Sequence, residues 1–192
     1  MIEVRELGPE ATGQIDLIPI SFRVESVLDV EEIDGGLGGL LLRERKLDQP
    51  YVKDYDSDED ERPTRWAGRF DVSNWGFFFA LSGDDPVGAA TTAFRSPGVH
   101  MLEGAADLVV LWDIRMHPDW RRQGIGSKLF ERVVDWGRRQ GCRQLKIETQ
   151  NINVPACRFY ASRGCRLEAI IRRAYREPQV AHEAMLLWYL DL

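Results

Sequence analysis

The spacing of apolar positions becomes regular from residue 74 onward. Residues 74–81 are dense in aromatic and aliphatic side chains and predict a strand. Residues 82–85 supply hairpin-turn residues, and residues 86–94 the returning strand. Residues 95–106, rich in Gly and Pro, read as a loop. Residues 107–116 alternate, which places Leu108, Val110, Trp112, Ile114 and Met116 on one face of a strand that Pro118 stops. Over residues 122–140 the period lengthens to that of a helix, with Ile125, Leu129, Val133 and Trp136 as its apolar stripe and Gly141 at its end. Residues 144–150 predict a second strand, residues 155–163 a short helix closed by Gly164, and residues 166–175 and 183–190 two closing strands. A strand–helix–strand–helix–strand order flanked by hairpins implies an α/β protein with a mixed sheet and helices packed on it.

The first 65 residues are less patterned. Residues 26–33 fit a strand. The run GGLGGLLLRERK lacks the strand-turn-helix setting of a dinucleotide loop and reads as a flexible turn. KDYDSDEDER, residues 53–62, holds six acids. Asp54, Asp56 and Asp58 begin like a calcium loop, but Glu59 stands where that loop needs Gly and Arg65 where it needs Glu. What remains is a solvated loop or an acidic rim that attracts a cationic substrate. Nothing reads as a linker, so a single domain over residues 1–192 is expected.

Composition narrows the partners. The formal net charge of −6 disfavours nucleic acid, whose phosphates repel an acidic chain. Cys142, Cys157 and Cys165 are odd in number and match no zinc spacing, so neither a disulfide framework nor a metal site is expected, in keeping with a cytoplasmic protein. No run is apolar for long enough to span a bilayer, and the opening MIEVREL is unlike a signal peptide, so no membrane partner is expected.

The chemistry concentrates at Arg121-Arg122-Gln123-Gly124-Ile125-Gly126, between a strand and a long helix. A helix start exposes unpaired N–H groups and the positive end of the dipole. Gly124 and Gly126 let a pyrophosphate approach the backbone, and Arg121 and Arg122 add charge. Taken alone, the motif is also compatible with an ordinary helix entrance.

In its surroundings the motif resembles the coenzyme A loop of the GNAT acetyltransferase superfamily, with Asn153, Ala156, Tyr160 and Gly164 at the family's later offsets. That resemblance implies a mostly antiparallel central sheet splayed between two parallel strands and flanked by helices. It implies acetyl-CoA as co-substrate, without a metal. The coenzyme would be held by backbone near Ile114 and Met116, by Arg121, Arg122, Gln123, Gly124, Ile125, Gly126 and Ser127, and by Asn153. Residues 66–192 would form the coenzyme-binding core and residues 1–65 the acceptor side.

Within the superfamily the chain looks like the streptothricin acetyltransferases, which acetylate an amine on that antibiotic's β-lysine arm. Four stretches carry this likeness: Lys53-Asp54-Tyr55 with its acidic continuation, Glu148-Thr149-Gln150, Asn153-Val154-Pro155-Ala156-Cys157, and residues 176–188 with Pro178-Gln179-Val180 and Glu183. The chain departs from that group at Trp112, where a Glu is usual, at Ile171, where an Asp is usual, and at Cys165, which replaces Phe. Arg172 and Arg173 add charge that would oppose a polycationic acceptor facing them.

Direct attack of an amine on the thioester needs a base for the amine proton and an acid for the departing thiolate. The resemblance implies Tyr160 as the acid. Glu148 and Asp113 are the candidate bases, each also readable as a structural ion-pair partner. Glu148 alternates onto one strand face with Lys146 and Gln150, and Asp113 onto the face opposite Trp112 and Ile114. Glu183 reads either as a partner for a substrate ammonium or as an ordinary strand-end acid, and Trp112 either as core packing or as a cleft residue that selects an apolar or aromatic amine. The expected partner is a small-molecule amine, and a homodimer is possible. A peptide N-acetyltransferase and a non-catalytic acyl-CoA sensor, the latter suggested by Trp112, remain open alternatives.

Overall fold

The computed structural model describes residues 2–192. Among the described residues there are nine strands: β1 Ile2–Leu7, β2 Phe22–Glu32, β3 Leu40–Lys53, β4 Gly76–Ser82, β5 Asp85–Ala93, β6 Leu108–Met116, β7 Gln144–Gln150, β8 Arg166–Ile171 and β9 Met185–Asp191. Two single-turn helices, α1 (Thr12–Ile15) and α2 (Trp66–Arg69), precede two longer ones, α3 (Ile125–Arg139) and α4 (Val154–Ser162).

Seven strands form one sheet in the order β1-β4-β5-β6-β7-β9-β8, while β2 and β3 pair separately as a hairpin. The β1–β4, β4–β5, β5–β6 and β8–β9 pairs are antiparallel. At the start of β7, Arg143 N–H donates to the carbonyl of Asp107 beside the start of β6, which makes β6 and β7 the parallel pair. The mixed, mostly antiparallel sheet with flanking helices is therefore as expected.

The chain forms two compact units, one of Met1–Ser21, Asp54–Lys146 and Asp191–Leu192, the other of Phe22–Lys53 and Ile147–Leu190. The first unit packs α3 on one face of its strands. A methyl at Gly88 would meet Met116 and Leu129 there, and one at Gly137 would meet Val109. On the other face Trp66, Trp75, Phe77, Phe79, Ala89, Ala93 and Val110 form a core with α1 and α2. In the second unit Val24, Val27 and Ile152 form a smaller cluster against Phe22 and Leu47.

The regular alternation expected along residues 107–116 is broken. Thr91 pairs with Asp113 and Thr92 with Leu111, so Trp112 is an extra residue, a β-bulge in β6. The bulge reverses the phase of every later side chain. Val110 shares a face with the aromatic core, whereas Met116 lies on the α3 face. Trp112 packs with the core of Val110, and Asp113, paired with Thr91, falls on that same face instead of the opposite one.

The other differences lie at element ends. β8 stops at Ile171, so Tyr175 belongs to the connection that follows it. The turn at Asp34–Gly36 leads into a long strand, β3, that its charge-rich sequence does not announce. β1 was also absent from the expected elements.

Candidate active site

The turn between β6 and α3 is braced from within. Arg121 donates from Nε to the carbonyl of Met116 (3.1 Å) and from Nη2 to that of Ser21 (2.8 Å). Burial pushes the Arg121 pKa below its ordinary value. Its guanidinium therefore serves as a clamp on the end of β6, and the exposed charge of the pair is that of Arg122. Gln123 Nε2 donates to the carbonyl of Asp119 (3.1 Å) and ties the turn to itself. Gly124 is the N-cap of α3 with φ 78 and ψ −1, a left-handed conformation that side chains disfavour.

A Cβ on Gly124 would meet no atom within 4 Å, and no side chain caps this helix start. The first-turn N–H groups, the dipole, Arg122 and open space above Gly124 fit the pyrophosphate of coenzyme A. Ile125 is buried, Gly126 and Ser127 are half-buried in that first turn, and Ile114 and Met116 are half-buried on β6.

The bulge residue Trp112 packs among aromatics, edge-to-face on Phe70 and tilted against Trp75, each with ring centroids 5.3 Å away. Asp113 is engaged by Arg115 through both oxygens, at 3.0 and 2.8 Å. The same guanidinium bonds both oxygens of Asp56 and the carbonyl of Ile18. Burial alone would lower the Arg115 pKa, but the two carboxylates outweigh it and hold the proton more tightly than usual. With both oxygens accepting from one guanidinium, the Asp113 carboxylate is engaged in the cluster. The cluster anchors the acidic segment, where Asp54 and Asp58 accept from the backbone N–H groups of Asp56 and Asp60.

In the second unit Glu148 and Gln150 lie half-buried on one face of β7. Tyr175, unforeseen in the sequence, joins them. Gln150 Nε2 donates to the Tyr175 hydroxyl, and that hydroxyl donates to Glu148 Oε1, each at 2.8 Å. Tyr160 sits on α4, 5% exposed, with Phe159 and Trp188 rings 5.6 and 6.4 Å away. Asn153 is the N-cap of α4, its Oδ1 accepting from Ala156 N–H at 3.2 Å. Glu183, 3% exposed, pairs with Lys53 at 2.6 Å, so an internal ammonium already meets the acid expected to bind a substrate's.

The three thiols are buried. Burial pushes Cys157 up to about 12, and Cys142 and Cys165 up to about 11, values that suit inert core residues. Among the described residues, no group of three or more His, Cys, Asp or Glu could hold a metal ion, and no helix is long and apolar enough to cross a membrane.

Comparison with known proteins adds an independent line. Residues 41–165 match the model of the acetyltransferase (GNAT) family. The chain is 30% identical over 169 residues to streptothricin acetyltransferase of Escherichia coli, covering 88% of this chain and 84% of that one. Nourseothricin acetyltransferase superposes with a TM-score of 0.76 at 21% identity, over 99% of this chain and 98% of the other. A Bacillus anthracis str. Ames protein solved in complex with acetyl coenzyme A gives 0.75 at 19% identity, over 100% and 98%. The two structural likenesses concern the fold.

Proposed function

Because the chain belongs to the GNAT acetyltransferase family and is an acetyl-CoA-dependent N-acetyltransferase, we propose that its acceptor is a primary amine of a small molecule, with streptothricin the first candidate. The observation that carries this acceptor is the likeness to the Escherichia coli enzyme along most of both chains. Electrostatics are compatible with it. Arg172 is engaged by Glu32, which offsets one of the two arginines that would oppose a cationic acceptor. A unit charge misplaced at about 4 Å costs roughly 4 kcal/mol at an effective dielectric of 20 and is largely screened when it faces solvent. Because Glu183 already holds Lys53, the acceptor's ammonium groups would depend on other acids.

Of the two candidate bases Glu148 is preferred, since both oxygens of Asp113 accept from Arg115. Acetyl-CoA supplies the acetyl thioester. Glu148 removes a proton from the attacking amine, and the nitrogen–carbon bond forms as the carbon–sulfur bond breaks. The Tyr160 hydroxyl gives a proton to the departing sulfur. The first turn of α3 holds the diphosphate, with Arg121 bracing the turn and Arg122 contributing charge.

A thiol-release screen with acetyl-CoA and streptothricin, polyamines, aminoglycosides and N-terminal peptides tests this reading. Streptothricin is expected to release thiol, and Glu148→Gln to reduce turnover roughly 10²–10⁴-fold, the usual reach of general acid–base catalysis. A wild-type enzyme that leaves streptothricin unmodified while acetylating a neutral or anionic amine removes the proposed acceptor and leaves the family assignment intact.

A further inference from the structure

We propose that Tyr175 is a positioning residue for the reaction, fixing the carboxylate of Glu148 through a hydrogen bond whose direction Gln150 sets. The inference rests on Glu148 as the base. A Gln amide nitrogen can only donate, so the Tyr175 oxygen must accept from Gln150. The phenol's one proton then goes to Glu148 Oε1. The chain Gln150 to Tyr175 to Glu148 has one polarity and two 2.8 Å links, within a half-buried group.

A neutral phenol suits this task. Arg115 holds Asp113 by charge, with both carboxylate oxygens accepting from the guanidinium. Tyr175 restricts the Glu148 rotamer while adding no charge of its own. Gln150 lies two residues along the same strand, which puts donor and base on one rigid element. Tyr175 comes from residues 172–184, the connection between β8 and β9. A tether for that connection alone would contribute stability and leave the turnover of the folded enzyme unchanged. A positioning bond would change turnover through Glu148.

Two measurements on the full chain separate these roles. In the first, Tyr175→Phe, Glu148→Gln and the double variant are assayed with acetyl-CoA and streptothricin. Tyr175→Phe should lower kcat roughly ten- to hundredfold with the KM for acetyl-CoA unchanged, the size of a lost hydrogen bond to a charged group. In the Glu148→Gln background the same change should cost nothing more. In the second, which uses no acceptor, the Glu148 carboxyl is titrated by carbon-13 NMR in wild type and Tyr175→Phe. Its midpoint should rise by about one pH unit, because a bond donated to the carboxylate favours the charged form. Arg172, Arg173, Arg176 and Glu177 on the same connection are untouched by the substitution, so the shift reports the phenol.

An unmoved midpoint overturns the proposal, as does an undiminished cost of Tyr175→Phe in the Glu148→Gln protein. Full activity in Glu148→Gln removes the base and the positioning role together. A shifted midpoint in an enzyme that ignores streptothricin supports the positioning bond and refutes only the acceptor.

Discussion

The two long helices begin in opposite ways. At α4 the chain satisfies its own backbone: Asn153 N–H donates to the carbonyl of Gln150, Pro155 has no N–H, and Asn153 Oδ1 accepts from Ala156. At α3 the cap is a left-handed glycine without a side-chain bond, and Arg122 just before it is left-handed as well, with φ 61. Every helix start carries unpaired donors. One is closed from within and serves the fold, while the other is left open and suits an anion. The two carboxylates differ in one partner as well: Asp113 accepts from the Arg115 guanidinium, and Glu148 accepts from the Tyr175 hydroxyl.

Substitutions on the closed side should therefore cost stability. The largest loss is expected from Arg115→Met, which leaves Asp113 and Asp56 facing each other with no cation between them. Breaking a buried pair from one side costs about 3–5 kcal/mol, readable as a lower denaturation midpoint. A protein as stable as wild type would show that the cluster is dispensable. Asn153→Ala is the smaller test. It should cost about 1 kcal/mol for the lost cap. Acetyl-CoA affinity should stay the same if Asn153 closes α4 and does not touch the coenzyme. A selective loss of affinity would instead restore the coenzyme contact that the family resemblance implied.

Much of this was legible in the sequence. The elements from residue 76 onward announce themselves in two ways: β4 and β5 are buried on both faces and read as near-continuous apolar runs, whereas α3 buries one face and shows the helical period. β3 does not. Its residues LLLRERKLDQPYVK are exposed for most of their length, so no alternation marks them. The open start of α3, proposed to hold the coenzyme, was legible because glycines at a helix start leave a local signature. The bulge at Trp112 was not, because it exists only in the register with β5, and a single extra residue inverts the expected faces of Asp113 and Met116. Arg115 meets Asp56 across 59 residues of sequence, and Tyr175 meets Glu148 across 27. Neither partnership leaves a trace in local spacing. Tyr175 was hidden further because residues 166–175 read as one strand, whereas β8 ends at Ile171.

The most direct test of the open helix start is calorimetry of acetyl-CoA binding to wild type and Gly124→Val. Valine puts a branched side chain into the space above the cap and strains a left-handed residue by roughly 1–2 kcal/mol. In a Gly124→Val protein with a wild-type circular dichroism spectrum, affinity is expected to fall at least about tenfold, or 1.4 kcal/mol. Unchanged affinity in that folded protein would contradict the assignment of the coenzyme's diphosphate to the start of α3.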